Sequence, residues 1–304
     1  MSKQYDVVSI ADVCADLIII SKEKPVFGQV EKIAQSYEME VGGSAAIFAS
    51  QVAKLGGKTA LLSVVGNDAL GTFIIDRMQG IGIDTQHIYK SATAKTPLGL
   101  NISVEGDRSM LTVLGSLNEI SFALANENII NQTRHWHIAG YFLLPQLVTH
   151  WLDFIVRLTA KNISISLDTN WAPRENWEDV KNLLPHVDVF LPNENEAMAI
   201  TGQSNYLKAG IELSKICKLL VIKRGSEGAS IFVGGKETHH ALPQQTQTLL
   251  KVVDTTGAGD SFDGGFIYEW LKQSSLNKCL ETAIACGTSS VQAMGGINGQ
   301  LTQL

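Results

Sequence analysis

The sequence predicts an α/β fold: a parallel-rich central sheet with helices on both faces, plus a small separate β-sheet. Three observations predict it. Short β-branched runs alternate with helix-compatible apolar stretches along most of the chain, as parallel strands joined by crossover helices do. Two β-prone regions, residues 12–42 and 97–116, break that alternation, their strands joined by a loop and a turn instead of helices. The 304 residues suffice for one large α/β body with an appendage. That body would comprise residues 1–11, 43–96 and 117–304.

Taken in order, Tyr5 to Ala11 reads as a buried strand, with Asp12 to Asp16 at its C-terminal end, where α/β folds place ligands. Leu17 to Ile20 is β-prone, Ser21 to Ser36 is a polar loop, and Tyr37 to Val41 alternates as a half-exposed strand. Gly42-Gly43 then leads into a helix that ends near Gly56-Gly57. The diglycine permits close approach to a ligand, or simply turns strand into helix. Gly56-Gly57-Lys58-Thr59 looks like the end of a P-loop, but Val52 stands where its first glycine belongs and a helix precedes it. No G-x-G-x-x-G follows a strand, so a nicotinamide site has no support.

Thr96 to Val104 and Ser109 to Val113 form a hairpin around Glu105-Gly106-Asp107-Arg108, completing the small sheet. Arg108 at the tip reaches a substrate or stays a solvated turn charge. His135 and His137 share one face of the next strand and lack a third metal ligand, so they are expected to pack. Ile163 to Asp168 and Val187 to Leu191 are further strands. After the second, Asn193, Glu194, Asn195 and Glu196 suit Mg²⁺, a hard cation that takes oxygen ligands, or complement a helix N-terminus. Leu219 to Gly228 is a strand and a turn, in which Lys223 and Arg224 meet phosphate or merely end the strand. Cys279 to Met294 is small and apolar, fit for close helix packing or for a flat base.

Composition narrows the function classes. The net charge is 24 − 30 = −6, against a nucleic-acid binder. Cys14, Cys217, Cys279 and Cys286 show no zinc spacing and suit free thiols in a reducing compartment. No leader-like N-terminus is present and no apolar run spans a membrane, so a cytoplasmic location is expected.

The stretch Asp254-Thr255-Thr256-Gly257-Ala258-Gly259-Asp260 carries the chemistry, with an apolar helix-compatible run following to about Leu271. Small residues let backbone N–H groups crowd around an anion, and a helix start adds its positive dipole end. An acid beside such an anion site suits a base that takes a proton from a hydroxyl while the amides hold the phosphoryl group under attack. Asp260 also suits a plain helix N-cap.

This stretch resembles the C-terminal signature of the ribokinase-like (PfkB) carbohydrate kinases, D-T-x-G-A-G-D-x-F-x-x-G, with every fixed position present. Gly42, Gly43, Ala49, Gly56 and Gly66 resemble the N-terminal signature, in which Ile47 replaces the family asparagine. Asp168-Thr169-Asn170 with Arg174 resembles the D-x-N-x-x-R site edge with one residue added, although Asp168 could equally cap the following helix. The resemblance runs from about Tyr5 to Gly296. It implies ATP-dependent phosphoryl transfer to a primary hydroxyl of a sugar or sugar derivative, with the small sheet as a lid. It implies Asp260 as base, the amides of Gly257, Ala258 and Gly259 as anion hole, and Asp12, Asp16, Gly42, Gly43 and Ile47 around the substrate. Asn193, Lys223, Gly225, Gly228, Gly257 and Gly259 would face ATP. Asn193 and Glu196 would order water around Mg²⁺, and Asp254 with the Thr256 carbonyl would hold K⁺. Ile47, with neither donor nor acceptor, predicts that plain ribose is a poor substrate. The expected partners are a small sugar-like molecule and a second copy through the lid, with no nucleic acid and no membrane. A nucleoside kinase of the same fold and a non-catalytic sugar sensor are the alternatives.

Overall fold

Val7 and Val8 are both fully buried, yet they belong to different cores, because successive side chains of a strand point to opposite faces. That pattern holds across a central sheet covered on both sides. The computed structural model describes residues 3–104, 107–172, 176–243 and 250–302, with the backbone alone of Arg108. The side chain of Arg108, and Glu105, Gly106 and Arg174, lie outside the described residues.

The large sheet has nine strands among the described residues. In chain order these are β1 (Tyr5–Ile10), β4 (Thr59–Gly66), β5 (Ile88–Ser91), β8 (Thr133–Ile138), β9 (Ser164–Leu167), β10 (Val189–Phe190), β11 (Leu220–Lys223), β12 (Ala229–Val233) and β13 (Lys236–His240). Their spatial order is β13-β12-β11-β10-β9-β8-β1-β4-β5. All neighbours are parallel except the β11–β12 and β12–β13 pairs at one edge. The helices are α1 (Ser44–Lys54), α2 (Ala69–Ile81), α3 (Glu127–Gln132), α4 (Trp151–Thr159), α5 (Glu178–Leu183), α6 (Glu194–Thr201), α7 (Tyr206–Leu213), α8 (Ala258–Leu271) and α9 (Leu276–Ser290). Core residues of α1, α2, α8 and α9 join Val7 on one face, and those of α4, α6 and α7 join Val8 on the other.

The chain leaves β1 toward β4 and β5, then returns to place β8 on the other side of β1. Strand order therefore reverses between β1 and β8, and the crevice beyond the carboxyl ends of such strands is where this class of fold binds ligands. The two strand ends touch there: a Cβ on Gly140, after β8, would come within 2.5 Å of the Asp12 carboxyl carbon, after β1.

The second sheet has the order β3-β2-β6-β7, from β2 (Cys14–Ser21), β3 (Ser36–Gly42), β6 (Leu98–Val104) and β7 (Asp107–Val113). β2 begins three residues before Leu17, so Asp16 stands inside a strand and not in the loop after β1. His135 and His137 point away from Trp136 and form a buried ladder with Ser164 and Ser166, and His137 stacks on Phe48 of α1 at 3.6 Å. The four cysteines are free, and no helix among the described residues is long and apolar enough to cross a membrane.

Candidate active site

The loop ahead of α8 is built to leave a helix start open. Gly257 caps the helix in the left-handed conformation, φ 70°, with no side-chain cap. A Cβ there would sit 2.9 Å from both the Gly296 Cα and the Ile47 Cγ2, so a larger residue fits neither the dihedral nor the space. The helix begins at Ala258, and Asp260 occupies its first turn instead of capping it. The first amides of a helix have no partner four residues back. The Ala258 amide reaches the Thr255 carbonyl at 3.3 Å, so it is less available than the sequence suggested. The amides of Gly257, Gly259 and Asp260 have no protein acceptor among the described residues. Asp254 braces the loop: one carboxylate oxygen accepts from the Thr256 amide and hydroxyl at 2.9 and 2.8 Å, the other from the Gly295 amide at 2.9 Å.

Asp260 is half-buried, with its carboxyl shielded by the surrounding atoms. Burial, then the Asp168 charge, pushes its proton affinity well above the usual carboxylate range, while Lys223 and the Ser44 hydroxyl pull it down. Ser44 is itself held, accepting from Asn170 Nδ2 at 2.8 Å. Asn170 adopts φ 61°, and its Oδ1 is buried without a partner among the described residues. Ser44 and Asn170 thus group with Asp260. Their signals in the sequence were faint: a variable position after the diglycine, and the N of D-x-N.

The residues expected at the substrate divide in two. Asp16 on β2 lies between Gly42 on β3 and Gly99 on β6, where a Cβ on either glycine would collide with its carboxylate. Burial raises its pKa to about 6. Asp12 serves the protein itself: its oxygens accept from the Ser44 and Ala45 amides at 3.1 Å each, sealing the start of α1 after Gly43. Ile47 is 3% exposed. Its side chain packs against Gly257 and Gly296, so it is a floor beneath the open helix start and not a wall of free space.

On the other side of α8, Asn193 and Glu196 form a capping box at the start of α6, each side chain accepting from the other's amide at 2.9 Å. Burial raises the Glu196 pKa to about 7, with the Asp168 charge adding to it. Lys223 is bound at 2.8 Å by Asp168 and at 3.0 Å by Asp263. Asp168 therefore caps no helix. Arg224 pairs with Glu194 at 2.8 Å and lies over the Tyr206 ring. Beside them opens a cavity of about 570 Å³, whose polar edge includes Lys223, Gly225, Gly228 and Gly259. Val252, Ile284 and Val291 give it apolar walls. Apolar walls with a glycine edge fit a flat base carrying phosphates. A second hollow, about 520 Å³, lies beyond the amino ends of the strands against Lys3, Arg134 and Trp270, and holds none of these residues.

Known proteins resemble this chain along most of its length. Residues 4–303 match the family described as pfkB family carbohydrate kinase. A ribokinase of Haemophilus influenzae is 27% identical over 270 residues, 86% of this chain and 84% of its own. A 2-dehydro-3-deoxygluconokinase of Bacillus subtilis is 27% identical over 300 residues, 91% and 88% of the two chains. Among solved structures, a provisionally named ribokinase II of E. coli in complex with ATP and Mg²⁺ superposes with a TM-score of 0.84 at 25% identity, over 97% of this chain and 96% of its own.

Proposed function

This chain belongs to the pfkB family of carbohydrate kinases, and from that premise we propose that it transfers the γ-phosphoryl group of ATP to a primary hydroxyl of a sugar or sugar derivative, with Asp260 as base. The observation that carries the reading is a half-buried carboxylate in the first turn of a helix whose neighbouring amides, Gly257 and Gly259, have no acceptor among the described residues. Asp260 takes the proton of the attacking hydroxyl, and a raised proton affinity suits a group that must accept it. The amides stabilise charge on the transferred phosphoryl oxygens without having to reorient. The Ser44–Asn170 arm orients the Asp260 carboxylate.

Asn193, Lys223, Gly225, Gly228, Gly257 and Gly259 form the nucleotide side. Asn193 Oδ1 and Glu196 Oε2 are used in the cap, so Glu196 Oε1 is the oxygen left to order water around Mg²⁺. When bound, that cation neutralises phosphate charge. Asp16, squeezed between two glycines on the lid, accepts from sugar hydroxyls, with Gly42 and Gly43 lining its approach. Tyr37, Leu111 and Val113 are exposed on one face of the small sheet, and a second copy covering that face accounts for them. K⁺ at Asp254 would act through carbonyls such as that of Thr256, because the carboxylate already accepts three bonds. Equal kcat in potassium and in a bulky organic cation at matched ionic strength would remove K⁺ from the account.

A coupled assay for ADP, run across sugars, keto- and deoxy-sugar acids and nucleosides, tests the function. Turnover that depends on a sugar or sugar acid is expected. A nucleoside as the best substrate moves the reading to a nucleoside kinase. Binding without turnover anywhere on the panel leaves a sensor.

A further inference from the structure

Lys223 sits where three segments of the site meet. It ends β11, and its amide donates to the Pro192 carbonyl at 2.9 Å, tying it to the start of α6. Its ammonium bonds Asp168, at the end of β9, and Asp263, in the second turn of α8, at 2.8 and 3.0 Å. A Cβ on Gly259 would lie 3.3 Å from the same nitrogen, so the charge stands beside the first turn of α8. The side chains of Lys223, Asp168 and Asp263 are 11%, 8% and 0% exposed, so the three charges interact with little solvent between them. A plain ion pair would need one carboxylate. Here one ammonium joins two, and each belongs to a different piece of the site: Asp168 leads to Asn170 and Ser44, and Asp263 lies one turn beyond Asp260.

We propose that Lys223 is a positioning residue for phosphoryl transfer: through Asp168 and Asp263 it fixes where α8 presents Asp260 to the substrate hydroxyl, and its charge offsets that of Asp168 beside the base. The inference rests on Asp260 being the base. The groups facing Asp260 are Asp168 after β9, Asp12 after β1, Lys223 on β11, the Ser44 hydroxyl on α1 and Asp263 on its own helix. Lys223 is the cation among them, so removing it raises the proton affinity of Asp260 and moves the acid limb of the kcat profile to higher pH.

The test compares Lys223→Met, Lys223→Arg and the double variant Lys223→Met/Asp263→Asn with wild type and Asp260→Asn, reading kcat, KM, the pH profile and Tm. Lys223→Met is expected to lose roughly 10²-fold in kcat, to hold sugar KM within about threefold, and to shift its acid limb upward. Lys223→Arg keeps the charge and therefore the limb. The double variant regains part of the lost Tm, because Asp263 is no longer an unpaired buried charge, without regaining kcat. It also carries the test should Lys223→Met fail to fold. A folded double variant with kcat within about threefold of wild type and an unmoved limb would overturn the proposal. If Asp260→Asn is inactive while the Lys223 variants behave as wild type, this inference alone falls. If Asp260→Asn is active, the assignment of the base falls with it.

Discussion

Three helix starts of the candidate site are finished in two opposite ways. At α6, Asn193 and Glu196 cap each other and consume the exposed donors. At α1, Asp12 reaches from another strand end to do the same. At α8, glycine takes the cap position, no side chain among the described residues bonds the first amides, and the acid of the first turn does not cap the helix. A sealed start contributes stability. An open one gives that up and keeps its donors for a ligand. The difference is what the proposed anion site at α8 rests on, more than the shape of any hollow.

The largest effect expected from breaking this contrast is at Gly257. Gly257→Ala forces a Cβ into φ 70° and against Gly296. Turning the loop to relieve it misaims the amides, so kcat should fall by about 10²-fold or more, in line with loss of an anion-hole donor. Steady-state rates measured on folded protein check this, and unchanged rates would mean that the open start is incidental.

Behind that start, Ile47→Asn places an amide in a site that is 3% exposed. The missing donor and acceptor at Ile47 suggested that asparagine here improves ribose relative to the true substrate. The packing instead predicts a loss of about 2–4 kcal/mol of stability, from a buried unpaired amide and lost apolar contact. Denaturant unfolding measures that loss, and unchanged stability would contradict the packing argument.

The sealed starts should respond less. Asn193→Ala removes one cap and is expected to cost about 1 kcal/mol, read as a small drop in Tm. A cost much above that would make α6 more than a capped helix.

The contrast also separates by pH. Asp68, the sealing acid of α2, is held at about 2 by bonds from Thr96 and Gly71 against the burial that opposes them. Its folded value lies below its unfolded one, so its stability is present above about 4 and is lost only as pH falls through 2. Asp260 is shifted upward, so activity per folded molecule should fail at a pH where that cap is still ionised. His135, lowered by burial to about 3, adds a separate effect. The folded state binds its proton less readily, so stability declines as pH falls below the unfolded value of about 6.5 toward 3. Rates must therefore be normalised to folded protein. An acid limb that coincides with unfolding would remove the distinction.

Much of this was legible in the residues themselves. Period-two runs and glycine turns mark the strands, and Gly257 to Asp260 announces the open start because dihedral demand and charge sit side by side in the chain. What the residues could not show is pairing at a distance. Lys223 reads as a polar strand end until the fold brings Asp168 and Asp263 to it, 55 and 40 positions away. Asp263 stands at a variable position of the signature. Ser44 and Asn170 meet across 126 positions. The packing of Ile47 against Gly257 and Gly296 was hidden for the same reason: polarity says what a side chain can bond, and only packing says what it faces.

The most direct test of the account is Asp260→Asn. The amide keeps the shape of the carboxylate and removes the base. Measured by steady-state kinetics and by calorimetric titration of sugar and nucleotide, kcat should drop by at least about 10²-fold while both dissociation constants stay within about tenfold of wild type. Turnover close to wild type would contradict the central claim.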